Sequence, residues 1–224
     1  VETVESTLGI LAETAHGKGI ELACEIAPNV PMALRGDAGR IRQILTNLVG
    51  NAIKFTEQGE VVVRVTLDGE TSTNVTARFE IADTGIGIPP AAHASLFQAF
   101  NQADSSTTRR YGGTGLGLAI AKHLVAIMEG EIGVQSEAGQ GSKFWFTTKL
   151  DKPLSASGTE SVIKPRAIGQ VTDLRVLIVD DNATNRQILH HQLLAWKMQP
   201  ERASGGGQAL KMMQEAASGG KPYG

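Results

Sequence analysis

The stretch GGTGLGLAIAKHLVAIM, residues 112–128, decides the fold, because a run of glycines opens there directly into an amphipathic helix. Gly113, Gly115 and Gly117 keep the backbone clear of side chains. The first turn of a helix carries unpaired amides and a partial positive charge, so an anion docks there, and a phosphate chain fits best. Two phosphate loops are excluded by context. A dinucleotide loop follows a buried strand, whereas residues 101–112, NQADSSTTRRYG, are polar. A Walker loop places Lys and Ser or Thr after its last glycine, and here Leu118 and Ala119 follow Gly117.

Upstream of this stretch, helices and strands take turns. Apolar residues at helical spacing (Val4, Leu8, Leu11, Ala12, Ala15) predict a helix over 1–16, and the alternation Ile20, Leu22, Cys24, Ile26 predicts a strand over 20–27. A second helix is expected over 41–55, with Ile41, Ile44, Leu45, Leu48 and Ala52 on its apolar stripe. Beside that stripe Gln43, Asn47, Asn51 and Lys54 share one narrow strip. Such a strip reads either as a solvated face or, since Asn is a middling helix former whose amide oxygen suits a hard cation, as a ligand-binding row. Strands follow over 61–67 and 75–83, and the alternation Val75, Ala77, Phe79, Ile81 brings Asp83 to the inward side. An inward carboxylate needs partners, from a backbone turn or from a ligand donor. The following TGIGIPP is either a turn or a glycine loop offering close access to a flat group. Residues 91–100 form a short helix or turn whose Phe97 and Phe100 serve as packing anchors, and two last strands lie near EIGVQSE and SKFWFTTKL. This order predicts an α/β (α+β) two-layer sandwich, one sheet with helices over a single face.

With 224 residues and a net charge of −2, the chain holds one substantial domain and part of a second, and it is not a basic nucleic-acid binder. No apolar run approaches the roughly 20 residues of a membrane span, and the N-terminus lacks a basic region and a cleavage signature. Membrane attachment is therefore expected outside this chain. The single cysteine, Cys24, excludes an internal disulfide and a Cys-rich metal site and fits a reducing, cytoplasmic setting.

NLVGNAIKF, DTGIGIP, the Phe pair of LFQAF and GGTGLGLAI resemble, in order and spacing, the N box, first glycine box, F box and second glycine box of sensor histidine kinases. The resemblance covers about 150 residues and implies the ATP-binding catalytic half of such a kinase. Its mixed-sheet, Bergerat-type fold is shared more distantly with DNA gyrase, Hsp90 chaperones and MutL proteins. It implies ATP and Mg²⁺ as cofactors: Asn51 on the metal with Asn47 beside it, and Lys54 on the phosphates. Asp83 would accept from the adenine amino group, with Gly85 and Gly87 lining the base pocket. Gly113, Thr114, Gly115, Leu116 and Gly117 would cradle the triphosphate. Residues 101–112 would be a lid whose Arg109 or Arg110 meets the terminal phosphate.

Where the related ATPases carry a general-base Glu, one turn before the metal-binding Asn, this chain has Asn47, and an amide cannot take that proton. ATP is then held for transfer rather than hydrolysed. The acceptor His of the family is followed by an acid and then a Pro, and none of His16, His93, His123, His190 or His191 has that context. The expected partner is therefore a histidine-bearing dimerisation domain, with receiver or phosphotransfer proteins downstream, and the piece itself is expected to be monomeric. Two alternatives remain: an ATPase of the gyrase, Hsp90 and MutL type, and a non-enzymatic nucleotide-binding interaction module. Asp37-Ala38-Gly39 and Glu129 depart from the family's usual Asp-Pro and Met-Gly-Gly runs, both outside the implied contacts.

Residues 151–173 lack periodicity and are expected to be a linker. Beyond them LRVLIVDDNATNRQILHHQLLAW joins a short apolar strand to a helix with Ile188, Leu189, Leu193 and Leu194 at helical spacing. This resembles the start of a response-regulator receiver, a doubly wound α/β domain. Asp180 and Asp181 would be its Mg²⁺-binding pair, and residues 174–224 would hold about half of it, loosely packed and without the acceptor Asp.

Overall fold

The computed structural model describes residues 1–99, 115–153 and 172–223, and the chain divides into two units, Val1–Leu154 and Ser155–Gly224. Arg109, Arg110, Gly113, Thr114, Phe100 and most of the expected lid and linker lie outside the described residues.

In the first unit, helix α1 (Glu2–Gly17) buries Val4, Thr7, Leu8 and Ala15. Helix α2 (Ala38–Phe55) begins three residues before its apolar stripe because Asp37 caps it, accepting from the Arg40 amide at 3.0 Å. Its buried face, Ile41, Ile44, Leu45, Leu48, Val49, Ala52 and Ile53, lies in the central core. Helix α3 (Gly117–Ile127) grows from the glycine stretch and buries Ala121 and Val125.

Strands β1 (Ile20–Ile26), β2 (Gly59–Glu70), β3 (Asn74–Asp83), β4 (Ile132–Ser136) and β5 (Ser142–Asp151) form one sheet in the order β1-β2-β3-β5-β4. β1 runs parallel to β2 and the other pairs are antiparallel, so the sheet is mixed. β2 outruns its apolar core of 61–67 because pairing with β3 continues across a register shift between Leu67 and Gly69. The inward faces of β2, β3 and β5 meet α1, α2 and α3 in one core, where Phe79 and Phe146 stack at 4.6 Å. The opposite face carries the polar alternates: Arg64 pairs with Glu25 at 2.9 Å, Arg78 with Glu80 at 3.0 Å, and Arg78 lies 4.2 Å over Trp145. The expected two-layer sandwich is the observed one. Where a short helix or turn is expected over 91–100, the described residues form a short 3₁₀ turn, Pro90–Ser95, and Phe97 anchors by its edge on Phe144, 6.4 Å away.

In the second unit, β6 (Arg175–Val179) and β7 (Gln199–Ala203) form a parallel pair beside helices α4 (Ala183–Ala195) and α5 (Gly206–Ser218). Asn182 caps α4 through the Asn185 amide at 3.0 Å. Of the four apolar residues expected to share its stripe only Ile188 is buried; Leu189 and Leu194 are exposed. Arg175 pairs with Glu201 and stacks 4.7 Å over Tyr223, closing one end of this unit.

Candidate functional site

The site lies where three loops meet the end of β3. Asp83 is the last residue of that strand and is half-buried. The Gly85 amide donates to its Oδ1 at 2.9 Å and the Ser142 amide donates to the same atom at 3.2 Å. Among the described residues no bond reaches Oδ2. Burial pushes the Asp83 carboxyl above its ordinary value, and the Gly85 and Ser142 amides pull the other way. The inward carboxylate is thus satisfied on one oxygen by backbone, through the local turn and through a strand 59 residues away in sequence.

The glycine loop after Asp83 is pressed between two walls. On one side Ile86 donates to the Phe55 carbonyl at the end of α2, and a Cβ on Gly85 would stand 2.5 Å from that oxygen. On the other side lies the β4–β5 turn. Gly87 has φ +66°, and a Cβ there would meet the Glu137 carbonyl at 1.9 Å, so only glycine fits. Gly139 donates to the Ile86 carbonyl at 2.7 Å, closing the wall.

The polar row of α2 supplies the second half of the site. Gln43 is exposed, whereas Asn47, Asn51 and Lys54 are half-buried. Asn47 Nδ2 donates to the Gly117 carbonyl at 3.2 Å, which joins this row to the start of α3. Gly115 (φ +71°) and Leu116 stand just before that start, half-buried like Gly117. The Lys54 ammonium lies 5.0 Å over the Phe55 ring. The structure therefore brings Asn47 to the glycine-helix start and puts Asp83, Gly85 and Gly87 together at the far end of α2.

Sequence reading missed two contributors. The Lys18 ammonium donates to the carbonyls of Ile53 at 2.6 Å, Thr56 at 2.9 Å and Lys54 at 3.2 Å, closing the C-terminus of α2. No local pattern marks such a cap. Ser142 and the turn before it were legible only as a glycine turn, because their role depends on strand pairing.

Elsewhere the candidates are quieter. Asp180 accepts from the Asn182 amide at 2.7 Å and its carbonyl from Arg186, while Asp181 is exposed. Among the described residues no cluster of three or more His, Cys, Asp or Glu could hold a metal ion. Burial pushes the Cys24 thiol up to about 11, which leaves it protonated and unreactive. Among the described residues no helix is long and apolar enough to cross a membrane.

Residues 36–152 match the family described as histidine kinase-, DNA gyrase B-, and HSP90-like ATPase. Over 192 residues, 86% of this chain and 20% of the relative, the sequence is 46% identical to the sensor protein GacS of Pseudomonas syringae pv. syringae. It is 48% identical over 149 residues, 66% of this chain and 16% of the relative, to the signal transduction histidine-protein kinase BarA of Escherichia coli K12. The chain thus spans a fifth or less of these relatives. Full-length ShkA, solved in complex with AMPPNP, superposes with a TM-score of 0.74 at 34% identity, covering 94% of this chain and 41% of ShkA.

Proposed function

We propose, for a chain that belongs to the histidine kinase-, DNA gyrase B-, and HSP90-like ATPase family, that it binds Mg-ATP and delivers the γ-phosphoryl group to a histidine on a separate helical domain. Its first unit is an ATP-binding catalytic domain of the histidine-kinase type. The observation that carries the reading is the half-satisfied carboxylate of Asp83, whose Oδ1 is taken by two amides and whose Oδ2 is left for a donor such as the adenine amino group. A guanine would bring a carbonyl to that place, acceptor against acceptor, so Asp83 selects ATP.

The rest of the site supports the phosphate end. Asn47 ties α2 to the first residue of α3, so the row Asn51, Lys54 and the glycine-helix amides share one neighbourhood. Asn51 and Lys54 suit a metal-bridged triphosphate: an uncharged oxygen donor and a cationic point charge leave room for phosphate oxygens and waters. Mg²⁺, when bound, supplies charge neutralisation between the phosphates. Phosphoryl transfer then asks the protein chiefly for alignment, and the histidine nitrogen takes the phosphoryl group as ADP leaves. Arg109 or Arg110, outside the described residues, would contact the terminal phosphate.

Asn47 favours transfer over hydrolysis. Its amide cannot take a proton from water, and one of its N–H groups is engaged by the Gly117 carbonyl. The second unit would be the beginning of a receiver, with Asp180 and Asp181 as its acidic pair. The share of the chain matched by GacS is longer than the first unit, which supports that reading. The parent would then be a hybrid kinase passing phosphate from His to Asp.

The test is label transfer from γ-labelled ATP. The chain mixed with the histidine-bearing segment of its parent kinase should label that segment, and Asn51→Ala should remove the label. Release of inorganic phosphate by the chain alone, lost with Asn51→Ala, would instead support the ATPase reading.

A further inference from the structure

Resting on the adenine reading of Asp83, we infer that Ser136 is a positioning residue for nucleotide-base selection, acting through the β4–β5 turn. Ser136 ends β4 and pairs across the sheet with Ser142, the residue whose amide holds Asp83. Its hydroxyl does three things at once. It accepts from the Ile88 amide at 2.8 Å, donates to the Gly141 carbonyl at 2.8 Å, and lies 3.0 Å from the Ser142 hydroxyl. A serine hydroxyl has one proton and two lone pairs. With its proton on Gly141, it accepts from both Ile88 and Ser142, and its capacity is filled.

Each of those three bonds ends on a piece of the base pocket. Ile88 is the exit of the glycine loop. Gly141 (φ +80°) is packed so closely on the end of β3 that a Cβ would stand 2.0 Å from the Asp83 carbonyl. Ser142 carries the amide on Asp83 Oδ1. One half-buried hydroxyl thus fixes the spacing between the loop, the turn and the carboxylate, and no other side chain among the described residues bonds all three segments. Ser136 does not touch the base. It sets where Oδ2 stands.

Removing the hydroxyl leaves the Ile88 amide and the Gly141 carbonyl to find other partners, and the turn and loop are free to separate. The effect belongs to the base end, since the Asn51, Lys54 and Gly115–Gly117 row shares none of these bonds. Affinity for ATP should fall, while affinity for GTP, which gains nothing from a correctly placed acceptor, should stay.

The experiment is calorimetric titration of the full chain with ATP and with GTP, for wild type, Ser136→Ala and Ser136→Thr. Ser136→Ala is expected to bind ATP ~10-fold more weakly with GTP binding unchanged, so the ATP preference shrinks by the same factor. Ser136→Thr, which keeps the hydroxyl, should recover ATP binding to within about 2-fold. Equal ATP binding by Ser136→Ala and wild type would overturn the inference, as would parallel loss of ATP and GTP or failure of Ser136→Thr to recover. If wild type itself shows no preference for ATP, the adenine reading of Asp83 falls, and this inference with it.

Discussion

The two units use the same materials to different effect. Both join apolar strands to amphipathic helices and place an aspartate at a strand's end, Asp83 as the last residue of β3 and Asp180 just after β6. In the first, five strands are covered by three helices, and Phe146, Leu48, Ile44 and Ile81 are fully buried. In the second, two strands face two helices; Ile178, Ile188 and three alanines are buried, while Leu194, Trp196 and Leu210 remain 50%, 60% and 62% exposed. The lesson is that an apolar stripe specifies a core only when enough sheet lies opposite it. A carboxylate is likewise given geometry by its neighbours. Asp83 is held both by its own following turn and by the neighbouring strand β5, whereas Asp180 accepts from the turn and helix that follow it.

Truncation at equivalent-looking apolar positions should expose the contrast most strongly. Phe146→Ala, which removes a ring stacked on Phe79, should cost ~3–5 kcal/mol in denaturant unfolding of the first unit. Leu210→Ala on α5 should stay within ~0.5 kcal/mol. Comparable losses at both positions would break the comparison.

Amide exchange should show the next largest difference. Amides of β2, β3 and β5 should exchange only through global opening, and those of β6 and β7 at least ~100-fold faster. Strong, uniform protection across residues 174–216 would mean that the second unit packs far better than its exposed side chains imply.

These contrasts also mark what the sequence made legible. The stripes of α1 and α2 and the alternation of β3 and β5 announce their elements because burial on one face imposes a period. The parallel placement of β1 against β2 does not, since pairing direction leaves no local pattern. Of the site, Asp83, Gly85 and Gly87 stood out because an inward carboxylate before glycines demands an explanation. Asn47, by contrast, was read as standing beside the metal ligand, and its bond to Gly117 depends on how α2 meets α3. Lys18, Ser136 and Ser142 were silent for the same reason: their partners lie tens of residues away.

A smaller effect sharpens the account of the first unit's helix ends. Glu129 follows the last turn of α3 with φ +53°, a left-handed conformation that explains why glycine suits this position. Its exposed ion pair with Lys149 offsets little of that strain. Glu129→Gly should therefore stabilise the unit by ~0.5–1 kcal/mol in thermal or denaturant unfolding, with nucleotide binding unchanged.

The measurement that tests the central claim most directly is a paired one on Asp83→Asn: calorimetric titration with ATP and thermal unfolding without it. Because burial raises the Asp83 carboxyl above 3.8, its contribution to stability is full below that value and is lost as pH rises through the folded-state value. At neutral pH the neutral amide should thus make the nucleotide-free fold more stable. The same change should weaken ATP binding ~10- to 100-fold, because an asparagine whose oxygen keeps the Gly85 and Ser142 amides turns its NH₂ toward the adenine amino group, donor against donor. A more stable protein that has lost ATP is the predicted result. An Asp83→Asn chain that binds ATP as tightly as wild type would contradict the assignment of this site to the adenine base.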